Sequence, residues 1–288
     1  MKKFIYLLLF FALCHVQSYG ADVHYFGQTQ DDTVSEINYG NNLSAGHYIK
    51  ADDALIYYEV YGNGSEAVLI LHGGGVGCTY EMGRFIDELS KNYTVIAPST
   101  RGHGKSGIGT KEITYEQKAD DMMATVNQVT KKPIIILGFS DGAYTAYKIA
   151  AMYPNKVKKV IAIGAGENIS ALRKIPLNTL DDLAKFDERF IKEKIALCPE
   201  PDKLQNFLNE YYTFFNNELI SRNIFSKIKC PVLLISGELD QNAPLDTVIS
   251  AYKMILNAQI AIIANAPHQV FITNFDAVWS NIVPFLNN

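Results

Sequence analysis

The sequence predicts an α/β protein with a mostly parallel sheet, and three observations support this fold class. Short apolar runs rich in β-branched residues, such as Ile134–Leu137, recur along the chain and suit strands buried on both faces. Stretches with helical spacing separate these runs, which is the alternation expected of a parallel sheet covered by helices. Glycine-rich or polar loops follow several of the runs, at the edge where open α/β sheets place their active sites.

The individual elements follow from these runs in chain order. Segments 46–50 and 54–61 predict an opening hairpin. Further strands are predicted at 67–71, 93–97, 133–139, 157–164, 230–236 and 259–263. Helices are predicted at 80–89, 115–129, 141–153, 245–256 and from about 274 to 285. These elements together predict one sheet of eight strands flanked by helices.

A long insertion between the strands near 164 and 230 predicts a small helical cap. Helical spacing covers 180–195 and 201–215. We therefore expect a core domain formed by 46–165 and 227–288, a cap at 166–226 and an amino-terminal arm at 21–45. Aromatic residues in caps are more often core than substrate wall, but some are expected to face the cleft. The residues concerned are Phe186, Phe190, Phe207, Tyr211, Tyr212, Phe214 and Phe215.

The first twenty residues predict a secretory signal peptide. Lys2 and Lys3 precede an apolar run at 4–13, and small residues follow, which predicts cleavage between Gly20 and Ala21. The run is too short to span a bilayer, so no stable membrane span is expected. We expect an exported protein, periplasmic or secreted. A lipoprotein anchored at Cys14 is the less favoured alternative, because the large Leu13 stands where a small residue is usual.

Charge and cysteine content limit the possible partners. Without the signal peptide the chain has 24 basic and 30 acidic side chains, so its formal charge is −6 and nucleic acid is not an expected partner. Cys78, Cys198 and Cys230 then remain, an odd number that defines no disulfide framework. Whether Cys198 and Cys230 form a pair stays open, and so does the oligomeric state.

The pentad Gly138-Phe139-Ser140-Asp141-Gly142 is the most informative motif. It lies between a predicted strand and a predicted helix, which is the context in which a G-x-S-x-G sequence exposes a strained serine nucleophile. The two glycines permit the tight turn and close backbone packing. The amino terminus of the helix adds partial positive charge near a developing oxyanion. Ser140 is therefore the predicted nucleophile.

A base and an acid follow Ser140 in the order that such enzymes use, with the acid before the histidine. His268 is the only one of the six histidines that lies after Ser140, so it is the predicted base. Asp240 lies in the turn Gly237–Asp240 at the carboxyl end of a predicted strand and is the predicted acid. Glu238, in the same turn, is the alternative.

The loop His72-Gly73-Gly74-Gly75 follows another predicted strand and can direct backbone N–H groups at an oxyanion. We assign the oxyanion hole to the amides of Gly74 and Asp141, with Gly75 as a neighbouring alternative to Gly74. Substrate contacts are expected from Phe139, Tyr211 and Phe215. The carboxylate of Asp141 has two possible roles, substrate binding or stabilisation of its own helix through the helix dipole.

These motifs together resemble the α/β-hydrolase superfamily over essentially the whole chain from about residue 46 to 286. The acidic residue directly after the nucleophile is similar to the valacyclovir hydrolase (biphenyl-hydrolase-like) branch. That resemblance implies activity on α-amino-acid esters, although Phe139 and Ala143 depart from the residues usual in that branch. The matching motifs are the HGGG loop at 72–75, RGHGKS at 101–106, GFSDG at 138–142, GELD at 237–240 and APH at 266–268.

Other chemistries have less support in the sequence. Gly104-Lys105-Ser106 matches only the end of a nucleotide-binding P-loop, because Ser99 stands where that motif needs glycine. Residues 73–77 lack the third glycine of a dinucleotide fingerprint. No histidine or cysteine pair has metal-ligand spacing, so no metal and no cofactor is expected. This leaves a serine hydrolase acting on a small acyl substrate, with carbon–carbon bond hydrolysis, perhydrolysis or a silent binding protein as alternatives.

Overall fold

The computed structural model describes residues 22–29, 33–169 and 174–288. The predicted signal peptide and Cys14 lie outside the described residues. One sheet of eight strands has the order β1-β2-β4-β3-β5-β6-β7-β8 within the described chain. The strands are β1 (Gly46–Ala51), β2 (Ala54–Tyr61), β3 (Ala67–Leu71), β4 (Thr94–Pro98), β5 (Ile134–Phe139), β6 (Val157–Ile163), β7 (Val232–Gly237) and β8 (Ala258–Ile263).

The strand β2 pairs antiparallel with β1 and β4, and the remaining neighbours pair in parallel. This confirms the predicted eight-stranded, mostly parallel sheet. The helices are α1 (Gly83–Leu89), α2 (Tyr115–Val129), α3 (Asp141–Met152), α4 (Leu180–Ala184), α5 (Glu188–Leu197), α6 (Leu204–Asn217), α7 (Arg222–Phe225), α8 (Leu245–Met254), α9 (Val270–Thr273) and α10 (Phe275–Asn287). The predicted carboxyl-terminal helix is thus preceded by the short α9.

The sheet separates two apolar cores, which explains the uninterrupted apolar strands. Leu69 and Leu71 of β3 belong to the core on one face, and Val68 and Ile70 belong to the core on the other. Because side chains alternate between the faces of a strand, both sets must be apolar when helices cover both faces. The helices α2 and α3 pack together on the first of these faces.

The helices α4 to α7 lie between β6 and β7, in the segment predicted to form the cap. The longest, α6, buries one face at helical spacing, and this face supplies most of the aromatic residues that the sequence singled out. Phe186 departs from the expected burial of cap aromatics, since 82% of it is exposed. The buried residues of α6 are Leu204, Phe207, Leu208, Tyr211, Tyr212 and Phe215.

The arm that precedes β1 is attached through a buried carboxylate. Glu59 on β2 accepts backbone hydrogen bonds from Gly40 and Asn42, each at 2.8 Å. The hydroxyls of Tyr57 and Tyr61 donate to the same carboxylate, also at 2.8 Å. Four donors thus compensate the burial of this carboxylate, while burial still raises the pKa of Glu59.

The loop after β4, which contains the RGHGKS motif, is held by a buried guanidinium. Arg101 donates two hydrogen bonds to Asp121 on α2, at 2.9 and 3.0 Å. A further bond of 2.6 Å reaches Asp53, in the turn between β1 and β2. Charge-assisted bonds of this kind fix geometry strongly. They hold the loop against the hairpin and α2, where its neighbour Thr100 reaches His72.

The three cysteines of the described residues, Cys78, Cys198 and Cys230, are all free thiols. Cys198 and Cys230 are therefore not paired with each other. Among the described helices, none is long and apolar enough to cross a bilayer.

Candidate active site

Ser140 lies at the sharp turn between β5 and α3. Its backbone has φ 50° and ψ −116°, a left-handed φ that is strained for a residue with a Cβ. The neighbouring glycines are required by close packing. A Cβ on Gly138 would lie 2.5 Å from the carbonyl oxygen of Gly142, and one on Gly142 would lie 2.4 Å from that of Leu71. The turn therefore forces the serine side chain out of the strand.

The structure brings the three predicted catalytic side chains together. His268 Nε2 lies 3.0 Å from Ser140 Oγ, and His268 Nδ1 lies 2.8 Å from Asp240 Oδ2. The carboxylate can only accept, so Nδ1 carries the proton and Nε2 is left to accept from the serine hydroxyl. The residues follow β5, β7 and β8, whose carboxyl ends meet at one edge of the sheet.

Asp240, and not Glu238, is the carboxylate that reaches the histidine. Backbone N–H groups of Asn242 and Ala243 each donate to Asp240 Oδ1 at 2.8 Å, which fixes its orientation. Glu238 is exposed and instead accepts from the backbone N–H of Asn265 at 2.9 Å.

The glycine loop is held in place from two sides. His72 Nε2 accepts the backbone N–H of Thr100 at 3.0 Å, so its Nδ1 carries the proton and donates to the Gly73 carbonyl at 2.6 Å. Burial lowers the pKa of His72 to about 4, which keeps this ring neutral. The Gly73 N–H in turn donates to Glu81 Oε1 at 2.6 Å.

Gly74 and Asp141, the two residues assigned to the oxyanion hole, are close neighbours. A Cβ placed on Gly74 would lie 2.8 Å from Cβ of Asp141 and 1.6 Å from the Tyr211 hydroxyl oxygen. Only glycine fits here. A Cβ on the adjacent Gly75 would lie 3.4 Å from the Tyr212 hydroxyl oxygen and 3.6 Å from the Tyr211 ring, which are ordinary contacts, and the φ of Gly75 is +61°.

The carboxylate of Asp141 does not face the substrate cavity. It is 1% exposed and forms an ion pair with Lys118 on α2. The hydroxyl of Tyr115 also donates to it at 3.0 Å. The hypothesis that this carboxylate contacts substrate is therefore not supported by the geometry, because a buried lysine already neutralises it. The spacing of the sequence offered no sign of Lys118, which lies 23 residues earlier.

A cavity of about 390 Å³ opens above Ser140 and His268. Phe139, Tyr211 and Phe215 all line it, as the sequence predicted for substrate contacts. The ring of Phe139 also packs 4.9 Å from that of His268. Sequence reasoning missed several lining residues, which come from residues 22–29, the glycine loop, the cap and the loops after β7 and β8. These are Phe26, Val76, Glu81, Ile175, Asn242, Pro267 and Gln269, whereas Tyr212, which also lines the cavity, is one of the cap aromatics of which some were expected to face the cleft.

Glu81 is the buried carboxyl group of this lining. It lies in the helical turn Thr79–Met82 after the glycine loop and also accepts a hydrogen bond from the Gln269 side chain. Burial raises the pKa of Glu81 to about 7. The sequence shows an acid eight residues after Gly73, but this does not indicate a cavity residue, because acids are common in the first turn of helices.

Comparison with known proteins agrees with this architecture. The family model of the alpha/beta hydrolase fold matches residues 66–194, which include the glycine loop and Ser140. Serine hydrolase BPHL of Homo sapiens is 26% identical over 226 residues, covering 75% of this chain and 77% of that protein. The chain is an α/β-hydrolase. The similarity to BPHL also agrees with the resemblance to the biphenyl-hydrolase-like branch.

Two further proteins extend the comparison. The 2-hydroxy-6-oxononadienedioate/2-hydroxy-6-oxononatrienedioate hydrolase 2 of Pseudomonas putida is 24% identical to this α/β-hydrolase over 262 residues, covering 81% of this chain and 89% of that protein. A crystal structure of a serine hydrolase involved in carbazole degradation, CarC, superposes with a TM-score of 0.71. It covers 84% of this chain and 98% of its own at 16% identity, which establishes the fold alone.

Glu81 makes the stability of this hydrolase depend on pH. The pKa of Glu81 is about 7 in the folded protein and 4.5 as an ordinary value. The stability that the protonated side chain gives to the folded state is therefore fully present below pH 4.5 and is lost as the pH rises to about 7. The shift corresponds to about 3 kcal/mol of unfolding free energy. Urea unfolding at several pH values should show this loss in the wild type relative to Glu81→Gln. The exposed Glu112→Gln should retain the wild-type slope, and an equal slope in Glu81→Gln would contradict the assignment.

Proposed function

We propose that this α/β-hydrolase cleaves a small carboxylic ester or related acyl compound through an acyl-enzyme on Ser140. The observation that carries the proposal is the continuous chain of hydrogen bonds from Ser140 through His268 to Asp240. A serine hydroxyl is a weak nucleophile unless an adjacent base takes its proton, and this arrangement supplies that base.

In the first step, Ser140 Oγ attacks the substrate carbonyl while His268 Nε2 takes the hydroxyl proton. Asp240 holds the tautomer of His268 and stabilises its cation. Negative charge develops on the carbonyl oxygen, where the backbone N–H groups of Gly74 and Asp141 receive it. Collapse of this intermediate transfers the proton from His268 to the leaving alcohol and forms the acyl-enzyme.

In the second step, water replaces the alcohol. His268 takes a proton from water as it attacks the acyl group, and the same amides stabilise the second oxyanion. The proton returns to Ser140 Oγ as the acid departs. The chemistry uses side chains and backbone amides of this chain and needs no cofactor.

The cavity supports a substrate of modest size with an apolar portion. Its volume of about 390 Å³ lies at the lower end of the range for small-molecule sites. Aromatic rings of Phe26, Phe139, Tyr211, Tyr212 and Phe215 form much of the wall. Neither lysine nor arginine occurs among the described lining residues.

Carbon–carbon bond hydrolysis is the second candidate, motivated by the Pseudomonas putida relative named for dienedioate substrates. A dicarboxylate would bring two negative charges into the site. Buried charges need partners of opposite sign, and the described lining provides the carboxyl of Glu81 without a cation. The cavity therefore favours an ester that carries no negative charge. Perhydrolysis and a silent binding role have no specific observation in their favour.

The first test replaces the nucleophile. Ser140→Ala should abolish both ester hydrolysis and labelling by a fluorophosphonate probe, because the covalent step requires Oγ. Hydrolysis of short p-nitrophenyl esters and gel-based probe labelling measure the two effects. The exposed Ser280→Ala is the matched control and should keep full labelling. Unchanged turnover by Ser140→Ala would refute the mechanism.

The same assay separates the two candidate acids. Asp240→Asn should reduce kcat by several orders of magnitude, because the amide favours the wrong tautomer of His268. Glu238→Gln should stay within about threefold of wild type, since Glu238 bonds to Asn265 on the exposed side of the turn. A larger loss in Glu238→Gln would reverse the assignment.

We further propose that any preference for α-amino-acid esters acts through Glu81 and not through Asp141. An ionised carboxyl in the cavity wall, paired with the substrate ammonium, is worth about 2 kcal/mol, or roughly thirtyfold in kcat/KM. The comparison is between an alanine ester and the matched propionate ester. Glu81→Gln should remove the difference between them.

Asp141→Asn should lower activity equally on the two esters and also destabilise the fold, because Lys118 would remain buried without its partner. The unfolding free energy should fall by about 3 kcal/mol in this variant. A selective loss on the alanine ester in Asp141→Asn would instead support a substrate contact by the Asp141 carboxylate.

Export is the remaining part of the proposal. The charged start and short apolar run of residues 1–20 motivate it. Amino-terminal sequencing of the protein from its native host should begin near Ala21. Retention of Met1, or a lipid on Cys14, would contradict the cleavage and leave the catalytic proposal intact.

A further inference from the structure

Residues 22–29, here called the amino-terminal segment, lie against the cap helix α5. Neither strand nor helix forms within this segment, so side chains must hold it. His24 is its anchor and is only 3% exposed. The catalytic steps proposed above use no residue of this segment, although Phe26 lines the cavity.

Two carboxylates of the cap form hydrogen bonds with the ring of His24. Its Nδ1 lies 2.7 Å from Glu193 Oε2, and its Nε2 lies 3.2 Å from Asp187 Oδ1. Backbone bonds reinforce both contacts. The His24 N–H donates to Glu193 at 3.2 Å, and the Gly27 N–H donates to Asp187 at 2.8 Å. Four polar contacts from one short segment thus converge on two cap residues.

These two carboxylates are themselves fixed. Asp187 caps α5 by accepting the backbone N–H of Phe190 at 2.9 Å. Glu193 accepts a hydrogen bond from Arg189 at 2.9 Å. The rings of His24 and Phe190 also pack edge to face, with their centroids 5.9 Å apart. The two carboxylates that bind His24 are therefore held in place by their own hydrogen bonds within α5.

The segment contacts the glycine loop as well as the cap. Cys78, which follows that loop, donates from its thiol to the carbonyl of His24 at 3.6 Å. Phe26, two residues after His24, lines the cavity, and the centroid of its ring lies 5.4 Å from that of Phe190. Val76 and Gly77 of the same loop region line that cavity too.

We propose that Phe26 is a specificity-determining residue of this hydrolase, held in the cavity wall by the anchor that His24 forms with Asp187 and Glu193. The proposal rests on the hydrolase function proposed above. Phe26 limits the length of substrate accepted on the side of the glycine loop. The site is then complete only when the amino-terminal segment is docked on the cap.

The kinetic test replaces Phe26 with alanine. Two ester series are compared, one varying the acyl chain from acetyl to octanoyl and one varying the alcohol over the same lengths. In Phe26→Ala the ratio of kcat/KM for long over short substrates should rise about tenfold in one series, as removal of a pocket wall predicts.

The control is Phe186→Ala, which removes the same side chain from an exposed position in the cap. This variant should keep the wild-type profile in both series. A Phe26→Ala variant whose length profile matches wild type in both series would overturn the specificity role.

The anchor is tested by His24→Leu, with the exposed His47→Leu as control. Substitution of His24 leaves the bond between Asp187 and Phe190 intact, so α5 keeps its cap. Hydrogen exchange of ligand-free protein should show at least about tenfold less protection over residues 22–29, and the length profile should move as in Phe26→Ala.

Hydrogen exchange does not depend on substrate turnover, so it tests the attachment of the amino-terminal segment separately from the proposed hydrolase function. Loss of protection without a shift in the length profile would overturn the anchoring role of His24, and unchanged protection would do the same. Absence of any ester hydrolysis by the wild type, with the protection result as expected, would refute the proposed function while the attachment of the segment stands.

Discussion

The strained backbone of Ser140 is the constraint on which the rest of the site depends. A φ of 50° is unfavourable for serine and persists only because the surroundings over-determine it. The carbonyl of Ile163 on β6 accepts the Ser140 N–H at 2.8 Å. Gly138 and Gly142 pack so closely against backbone that no side chain fits. Sheet and helix thus hold the serine in a position from which His268 reaches it.

Buried charges fix the loops around this elbow. Lys118 neutralises Asp141 directly beside Ser140, and Tyr115 adds a hydrogen bond to the same carboxylate. Arg101 performs the same task for the neighbouring loop through Asp121. Such pairs contribute little net stability, because desolvation offsets attraction, but breaking one is costly. Their value here is geometric, since they hold the amides of the glycine loop and of α3 at fixed positions.

Much of the fold was predictable because its signals are local. The apolar strand β5, the pentad that follows it and the helix α3 adjoin one another in the chain, so their order alone indicates an elbow. The choice of His268 needed only chain order, since no other histidine follows Ser140. The sequence also placed both candidate acids in one turn, but only the structure shows that Asp240 reaches His268 while Glu238 bonds to Asn265.

The residues that the sequence did not predict reach the site through packing between distant segments. Phe26 enters the cavity because His24 binds Asp187 of the cap, which lies 163 residues later in the chain. In the sequence, Glu81 looks like an ordinary acid in the first turn of a helix. Its pKa is raised because the fold buries it beside Gly73. No local pattern encodes such meetings, because they depend on how helices and loops pack on the sheet.

The sequence by itself therefore determined the class of fold, the positions along the chain of the strands that support the site, and the choice of Ser140 and His268 as the predicted nucleophile and base. These follow from periodicity, glycine placement and chain order, which act over a few residues. The tertiary structure alone decided that Lys118 neutralises Asp141, that Glu81 lines the cavity and that the amino-terminal segment completes its wall. Those outcomes depend on which side chains share a desolvated space, and burial is a property of the whole packed chain.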